Sequence, residues 1–394
     1  MIIKNIKIYQ PDQTFVPGVI ITEDDHIKEV YTEREAVEST ASQQVLDGQG
    51  CYCIPGMIDL HFHGCKGADF CDGTREVLDT ISQFEASIGV TAISPATMTL
   101  PVEKLEQILE NAADYRDLQE KKQTIWGADL VGVNMEGPFI SKVKKGAQDE
   151  KNIIPCDVSI YKKFQKAARG LVKFVGIAPE ESDCSDFIKE VKEEVSVSLA
   201  HTNADYDTAM EAFDLGADHA VHLYNAMPPF HHRNPGVIGA VSDSPHVMAE
   251  LICDGIHIHP SVVRATFQMM GAERMILISD SMRATGMPDG SYTLGGLDVN
   301  VRGNRATLAS DGALAGSATT LPDCVRIAVK KMGIPLETAI ACATIHPAKS
   351  LKIDDRYGSI EEGKKADLVL WDEELRLKKV IKDGQIYPSE FCEI

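Results

Sequence analysis

At 394 residues the chain is too long for one small domain and long enough for a large barrel with an accessory domain. Its formal charge of −20 at pH 7 argues against nucleic acid or an anionic membrane as partner, and a small anionic substrate would need a local basic pocket. No run approaches the roughly 18 apolar residues of a membrane span.

The first residues, Met1 to Ile8, alternate polar and apolar like a strand. They lack the basic start, apolar stretch and small-residue cleavage site of a signal peptide, so a cytoplasmic protein is expected. The ten cysteines include no C-x-x-C pair and are expected to be reduced, mostly buried thiols.

Residues 1–54 read as short strands and turns: Ile2 to Tyr9, Val19 to Thr22, and Ile27 to Tyr31. From Ile54 apolar strands alternate with amphipathic helical stretches, the pattern of βα units and a parallel sheet. Eight strands are expected: Met57–His63, Val90–Thr97, Leu130–Glu136, Val172–Pro179, Ser196–His201, Ala220–Leu223, Val247–Cys253 and Met275–Asp280. Val102–Tyr115 and Asp205–Leu215 are the clearest intervening helices. Eight parallel strands favour a closed (β/α)8 TIM-like barrel, spanning 55–350, over an open doubly wound sheet. No Gly-x-Gly-x-x-Gly follows the first strand, which counts against a dinucleotide fold.

A hairpin-like insertion follows at Tyr292 to Leu308, then helices near Leu321–Met332 and Leu336–Ala343. The tail returns to strands at Asp367–Trp371 and from Leu377. The two β-rich ends, 1–54 and 351–394, are expected to form one small β-sandwich domain.

Barrel active sites lie at the C-terminal ends of the strands. Here those ends carry His61 and His63, Glu136, His201, His222 and Asp280. Alternation along a strand points both His61 and His63 to one side. Imidazole and carboxylate suit zinc, iron or cobalt. Each group has an ordinary reading alone: a chance histidine pair, a turn glutamate before Gly137-Pro138, a core histidine, a helix N-cap at Asp280. Together at five strand ends they point to a metal site. The remaining histidines keep ordinary roles, with His26 in a turn, His219 and His246 where strands begin, and His259 and His346 beside prolines. A divalent ion polarises a carbonyl and makes bound water acidic, which is half of amide hydrolysis. The poor leaving amine must still be protonated, and Asp280 is the expected proton shuttle.

Asp47-Gly48 through Ile54-Pro55-Gly56-Met57-Ile58-Asp59-Leu60-His61-Phe62-His63-Gly64 resembles the opening of the amidohydrolase superfamily, and Gly363 to Leu370 resembles its C-terminal β segment. Between them, Met135-Glu136-Gly137-Pro138-Phe139, Ala200 to Asn203, His222 to Met227, His232 to Gly236, Asp254 to His257 and Leu314 to Ser317 resemble the N-acetylglucosamine-6-phosphate deacetylases. The resemblance implies hydrolysis of an acetamide on a phosphorylated amino sugar, in amino-sugar catabolism and wall recycling. It implies one or two divalent ions, zinc or iron: Glu136, His201 and His222 around the principal one, His61 and His63 around a second, with Glu136 as a bridge. No lysine stands at the C-terminal end of the fourth strand to be the carboxylated bridge of dihydroorotase-like or urease-like relatives.

The resemblance also places Asn225 and Ala226 on the substrate's polar groups, His257 on the sugar, and Leu314, Ala315 and Gly316 along the pocket wall. Arg233 would hold the 6-phosphate from the neighbouring subunit of a homodimer; from the residues alone, His231-His232-Arg233 is a basic loop patch. The chain departs from the family pattern at Gly146-Ala147-Gln148, where Gly-Ala-His is usual, so Ala147 and Gln148 are expected beside the substrate with Gln148 facing its carbonyl. Glutamine cannot become cationic, which bears on rate or acyl preference. Two other readings stay open: the galactosamine epimer, and a metal-dependent heterocycle deaminase, which would not use Asn225-Ala226 or Arg233.

Overall fold

The computed structural model describes residues 1–32 and 44–388. Among them no helix is long and apolar enough to cross a membrane. Cys392 and parts of both expected β-rich ends (33–43 and 389–394) lie outside the described residues.

The two chain ends share a sheet. Its strand order, among the described residues, is Gln385–Ile386, Leu377–Lys382, Leu368–Trp371, Val45–Pro55, Ile2–Tyr9, Phe15–Glu23, His26–Tyr31. Val45–Pro55 runs parallel to Ile2–Tyr9 and antiparallel to Leu368–Trp371, so it joins the first strand of the chain to its last segment. Alternation drives this: Ile3, Ile8, Ile20, Ile27, Cys53, Leu368 and Leu370 all point into one buried cluster. His26, expected in a turn, begins a strand and pairs with Asp25 at 2.6 Å.

Seven of the eight expected strand segments contain a parallel strand or most of one; the sixth, Ala220–Leu223, overlaps its strand His219–Ala220 at Ala220 alone, and the chain turns from Val221. Met57–Asp59, Val90–Ile93 and Asp129–Leu130 form one sheet. Ala96–Thr97, Val133–Phe139, Val172–Ile177, Ser196–Leu199, His219–Ala220, Met248–Ile252 and Met275–Ile278 form a second, curled sheet, in that order. The second and third segments contribute to both sheets and so connect them. At the far edge, the Asp280 backbone N–H, two residues past the last strand, donates at 3.0 Å to His61 O, two residues past the first. Near-continuous burial along Val90–Ile93, Ser196–Leu199 and Met275–Ile278 is what strands covered by helices require. The covering helices start where side chains cap them: Thr74 on Val77 N–H, Asp157 on Ser159 and Ile160, Asp205 on Thr208.

Five further details differ from expectation. Among the described residues the two chain ends form one seven-stranded sheet, not the expected sandwich of two, because Val45–Pro55 pairs on both edges and joins them side by side. The third strand does not stop at Gly137-Pro138; it runs to Phe139 through a register shift between Met135 and Phe139, so Glu136 sits on an irregular, bulged stretch rather than at a strand end. The insertion is a three-stranded antiparallel sheet, Gly290–Leu294, Leu297–Arg302 and Arg305–Leu308, rather than a single hairpin. Leu321–Ile327 is α-helical, but Ala328–Met332 widens into a π-type turn. Cys156 and Cys184 are joined as a disulfide with Cα atoms 5.2 Å apart, so not all the cysteines are free thiols. Their separation of 28 residues leaves no local spacing signal.

One buried cation ties the terminal sheet to the parallel sheets. Lys382 Nζ, fully buried, lies 2.9 Å from Asp129, 3.2 Å from Asp367 and 2.9 Å from Asp383. Asp129 belongs to the third parallel strand, and Tyr357 donates to it as well at 2.9 Å. The three carboxylates hold Lys382 well above its ordinary pKa against the opposing effect of burial. Lys382→Met leaves those carboxylates without their counter-charge, so urea unfolding is expected to show a loss of about 3–5 kcal/mol; a loss under about 1 kcal/mol would mean the tether is not electrostatic.

Candidate functional site

His201, His222 and Asp280 each stand two residues beyond the strands ending at Leu199, Ala220 and Ile278. Their φ angles are 45°, 29° and 48°, a left-handed backbone that L-residues adopt at a cost of about 1–3 kcal/mol each. Hydrogen bonds hold the turns: Ser141 N–H to His201 O at 2.9 Å, Asn225 N–H to His222 O at 2.9 Å, and Ser317 N–H to Asp280 O at 2.7 Å. Each turn tips its side chain inward over the strand ends. His61 and His63 arrive by alternation, as expected, just past Met57–Asp59. Gly146 must lack a side chain, because a Cβ there would lie 3.2 Å from His201 Cε1 at a φ of 54°.

These residues converge on Glu136, whose side chain is 3% exposed. Its Oε1 is 3.0 Å from His201 Nε2, 2.8 Å from His222 Nε2 and 3.5 Å from His61 Nε2. Its Oε2 is 3.4 Å from His63 Nε2, which also lies 3.3 Å from Asp280 Oδ1. Two groups of three ligand atoms result: Glu136, His201 and His222; and His61, His63 and Asp280. Burial alone would push the Glu136 carboxyl up, but His201, His61 and His222 outweigh it and hold it well below its ordinary value. Burial likewise opposes, and His63 and His61 overcome, a downward shift at Asp280. Asp280 begins no helix, so the N-cap reading is not realised.

The donor set fits a divalent ion. His201 Nδ1 donates to Lys144 O at 2.9 Å, so a bound ion would take Nε2, which faces Glu136. Among the described residues His61 Nε2 is buried with no hydrogen-bond partner. Bonds of about 2.0–2.1 Å at a tetrahedral centre put ligand atoms roughly 3.3 Å apart. The Glu136, His201 and His222 atoms are 2.8, 3.0 and 3.2 Å apart, close to that spacing. A third acidic group, Asp129, Asp367 and Asp383, already surrounds the Lys382 ammonium and has no such vacancy of charge.

A cavity of about 260 Å³ opens over the cluster. Ala147, Gln148, Asn225, Ala226, His257, Leu314, Ala315 and Gly316 all line it with His63, Glu136, His201, His222 and Asp280. Arg233 does not line it; it is exposed on the tight His231–Asn234 turn. The antiparallel insertion forms part of the wall through Leu294, next to Ala147 and Met98.

Gln148 lines the cavity and is almost fully buried. Thr99 N–H donates to its Oε1 at 2.7 Å, which fixes the amide orientation, and its Nε2 donates to Glu136 Oε2 at 2.8 Å. Three participants were not singled out from the sequence. Asp59 accepts from His61 N–H at 3.2 Å and from Ser279 at 2.5 Å, and burial pushes its carboxyl up to about 7. Asp254 orients His257 through Nδ1 at 2.7 Å and caps its backbone at 2.9 Å. Glu250 lies behind His61, 2.8 Å from Nδ1. The signal for Glu250 was present: one charge in the otherwise apolar strand Met248–Ile252.

Gln148→Glu puts an acceptor where a donor meets Glu136. Removing such an outer partner is expected to weaken metal binding by about 10–100-fold, read by competition with a chromophoric chelator. Unchanged affinity would place Gln148 outside the machinery that orients Glu136.

Residues 52–387 match the family model described as "Amidohydrolase family". The N-acetylglucosamine-6-phosphate deacetylase of Bacillus subtilis is 38% identical over 98% of this chain and 96% of its own length. The N-acetylgalactosamine-6-phosphate deacetylase of Escherichia coli O157:H7 is 34% identical over 84% of this chain and 86% of its own. Among solved structures, an N-acetyl-D-glucosamine-6-phosphate deacetylase from Mycobacterium smegmatis, an aspartate-to-alanine mutant in complex with N-acetyl-D-glucosamine-6-phosphate, superposes with a TM-score of 0.89 at 29% identity, covering 98% of both chains. The Thermotoga maritima N-acetylglucosamine-6-phosphate deacetylase gives 0.86 at 31% identity, covering 98% of this chain and 99% of its own. The chain belongs to the amidohydrolase family, in the branch of the N-acetylglucosamine-6-phosphate deacetylases.

Proposed function

We propose that the chain hydrolyses the acetamide of N-acetyl-D-glucosamine 6-phosphate to D-glucosamine 6-phosphate and acetate, in amino-sugar catabolism and wall recycling. The observation that carries this is the Glu136 cluster, with three ligand atoms at near-tetrahedral spacing and Asp280 Oδ1 beside it, at the floor of one small cavity. The names of its relatives support the substrate. Around this site we read the two parallel sheets as one closed (β/α)8 barrel of residues 55–350. A small β domain, 1–54 with 351–394, completes the reading, and the Asp280-to-His61 backbone bond supports closure. The proposed compartment is the cytoplasm.

In this reading Glu136, His201 and His222 would hold a principal divalent ion, zinc or iron, and His61 and His63, with Glu136, would hold a second. Ions there supply a polarised acyl oxygen and an acidic water. The protein does the rest. Asp280 Oδ1 takes a proton from the attacking water and returns it to the amide nitrogen as the C–N bond breaks, so that the amine leaves neutral. Asn225 and Ala226 hold polar groups of the sugar, and His257, oriented by Asp254, holds a hydroxyl. Leu314, Ala315 and Gly316 line the cavity beside Ala147 and exclude water.

The phosphate needs a cation, and Arg233 lies outside its own chain's cavity. We therefore propose a homodimer in which Arg233 reaches the neighbouring pocket, where a guanidinium suits a phosphate in two-pronged contact.

Protein purified without chelator is expected to release acetate from N-acetylglucosamine 6-phosphate, to lose that activity on chelation and to regain it with added metal. A preference for the galactosamine epimer, the substrate named for the E. coli relative, would correct the sugar; full activity without metal would end the proposal. Asp280→Asn keeps the shape and removes the basicity, so turnover should fall about 10²–10⁴-fold while substrate still binds; near-normal turnover excludes it as shuttle. Arg233→Ala and Asp280→Asn chains, each defective alone, can be unfolded and refolded together. If Arg233 serves the other subunit, about a quarter of all pockets recover in randomly paired two-fold dimers. No recovery in a sample shown to contain mixed dimers refutes the shared pocket.

A further inference from the structure

The strand Met248–Ile252 buries one charged side chain, Glu250, completely. Its Oε2 lies 2.8 Å from His61 Nδ1 and accepts the His222 backbone N–H at 3.1 Å. Its Oε1 lies 2.9 Å from His219 Nε2. A carboxylate accepts only, so both imidazoles must donate to it. That puts a proton on His61 Nδ1, so a bound ion would take Nε2, which among the described residues is buried without a hydrogen-bond partner and lies 3.5 Å from Glu136 Oε1. His63 has no equivalent support, since its Nδ1 meets only Ala96 O at 3.3 Å. Of the two ligand groups, the one containing His61 therefore has a buried negative charge directly behind it.

We propose that Glu250 is a positioning residue that makes His61 an ion ligand and so decides whether the His61, His63 and Asp280 half of the site holds its own ion. This rests on the two-ion reading above. A second divalent ion about 3.5–4 Å from the first is repelled by it. A carboxylate one imidazole away offsets that repulsion, and the hydrogen bond strengthens Nε2 as a donor to the metal. Contact with the His222 backbone lets the same side chain hold the two halves of the site in register.

The test counts and titrates Zn²⁺ on chains freed of metal and reloaded, by elemental analysis and competition with a chromophoric chelator. Glu250→Gln keeps an oxygen for His61 and His222 but loses the charge. Glu250→Met removes both. Expected are two ions on the wild type, a weaker site reduced about 10-fold in Glu250→Gln, and that ion lost in Glu250→Met, with the ion at Glu136, His201 and His222 retained throughout. Thermal unfolding of the metal-free chains checks that all are folded, and Glu250→Gln alone suffices if Glu250→Met is not. Wild-type affinity at both sites in the variants overturns the proposal. So does equal weakening of both sites, which marks Glu250 as a general core residue. A wild type that binds one ion, with His63→Ala leaving that count unchanged, contradicts the two-ion reading itself, and the role of Glu250 falls with it.

Discussion

The carboxylate of Glu136 is nearly sealed from water, and four imidazole nitrogens approach it within 3.5 Å. A buried carboxylate is strongly unfavourable unless opposite charge and hydrogen bonds surround it. Asp280 and Glu250 add two more buried carboxylates nearby. Neutral imidazoles alone leave that negative charge uncompensated. The need for cationic charge in this space therefore governs the arrangement, and a divalent ion held by the inward-facing imidazole nitrogens would meet it. The partnerless Nε2 of His61 and the 3.2 Å approach of His201 Nε2 to His222 Nε2 follow from the same demand.

The fold supplies that arrangement by placing ligands past parallel strands. Left-handed turns at His201, His222 and Asp280 carry strain, and it is held in place by backbone hydrogen bonds from Ser141, Asn225 and Ser317. Those bonds also link distant parts of the chain. Asp280 is pinned to His61 on one side and to Ser317 on the other, which ties Asp280, the His61–His63 segment and the loop bearing Gly316 together through backbone hydrogen bonds. Far from the site, Lys382 does the corresponding work between the terminal sheet and the third strand.

Much of this was legible in the sequence because it depends on short periodicities. Two histidines one residue apart must share a face, and βα alternation puts strand ends together, so the residues that gather around Glu136 could be named from their spacing. All the expected cavity residues but Arg233 do line the cavity. What escaped depends on contacts distant in sequence. Cys156 and Cys184 meet across an intervening helix, Val158–Ala167, and strand, Val172–Ile177. Glu250 reaches His61 across 189 residues, and nothing near Glu250 in the chain marks its partner. Gln148 could be marked as unusual but not located, because whether its amide faces substrate or Glu136 is set by Thr99 N–H. Gly137-Pro138 misled in the other direction: such a pair normally ends a strand, but here a register shift lets pairing resume at Phe139.

The most direct test of the central claim is anomalous diffraction at the absorption edges of zinc and iron, from crystals of protein purified without chelator and active on dissolution. The account predicts a peak within bonding distance of Glu136 Oε1, His201 Nε2 and His222 Nε2. Active crystals with no anomalous density among those three atoms would contradict it.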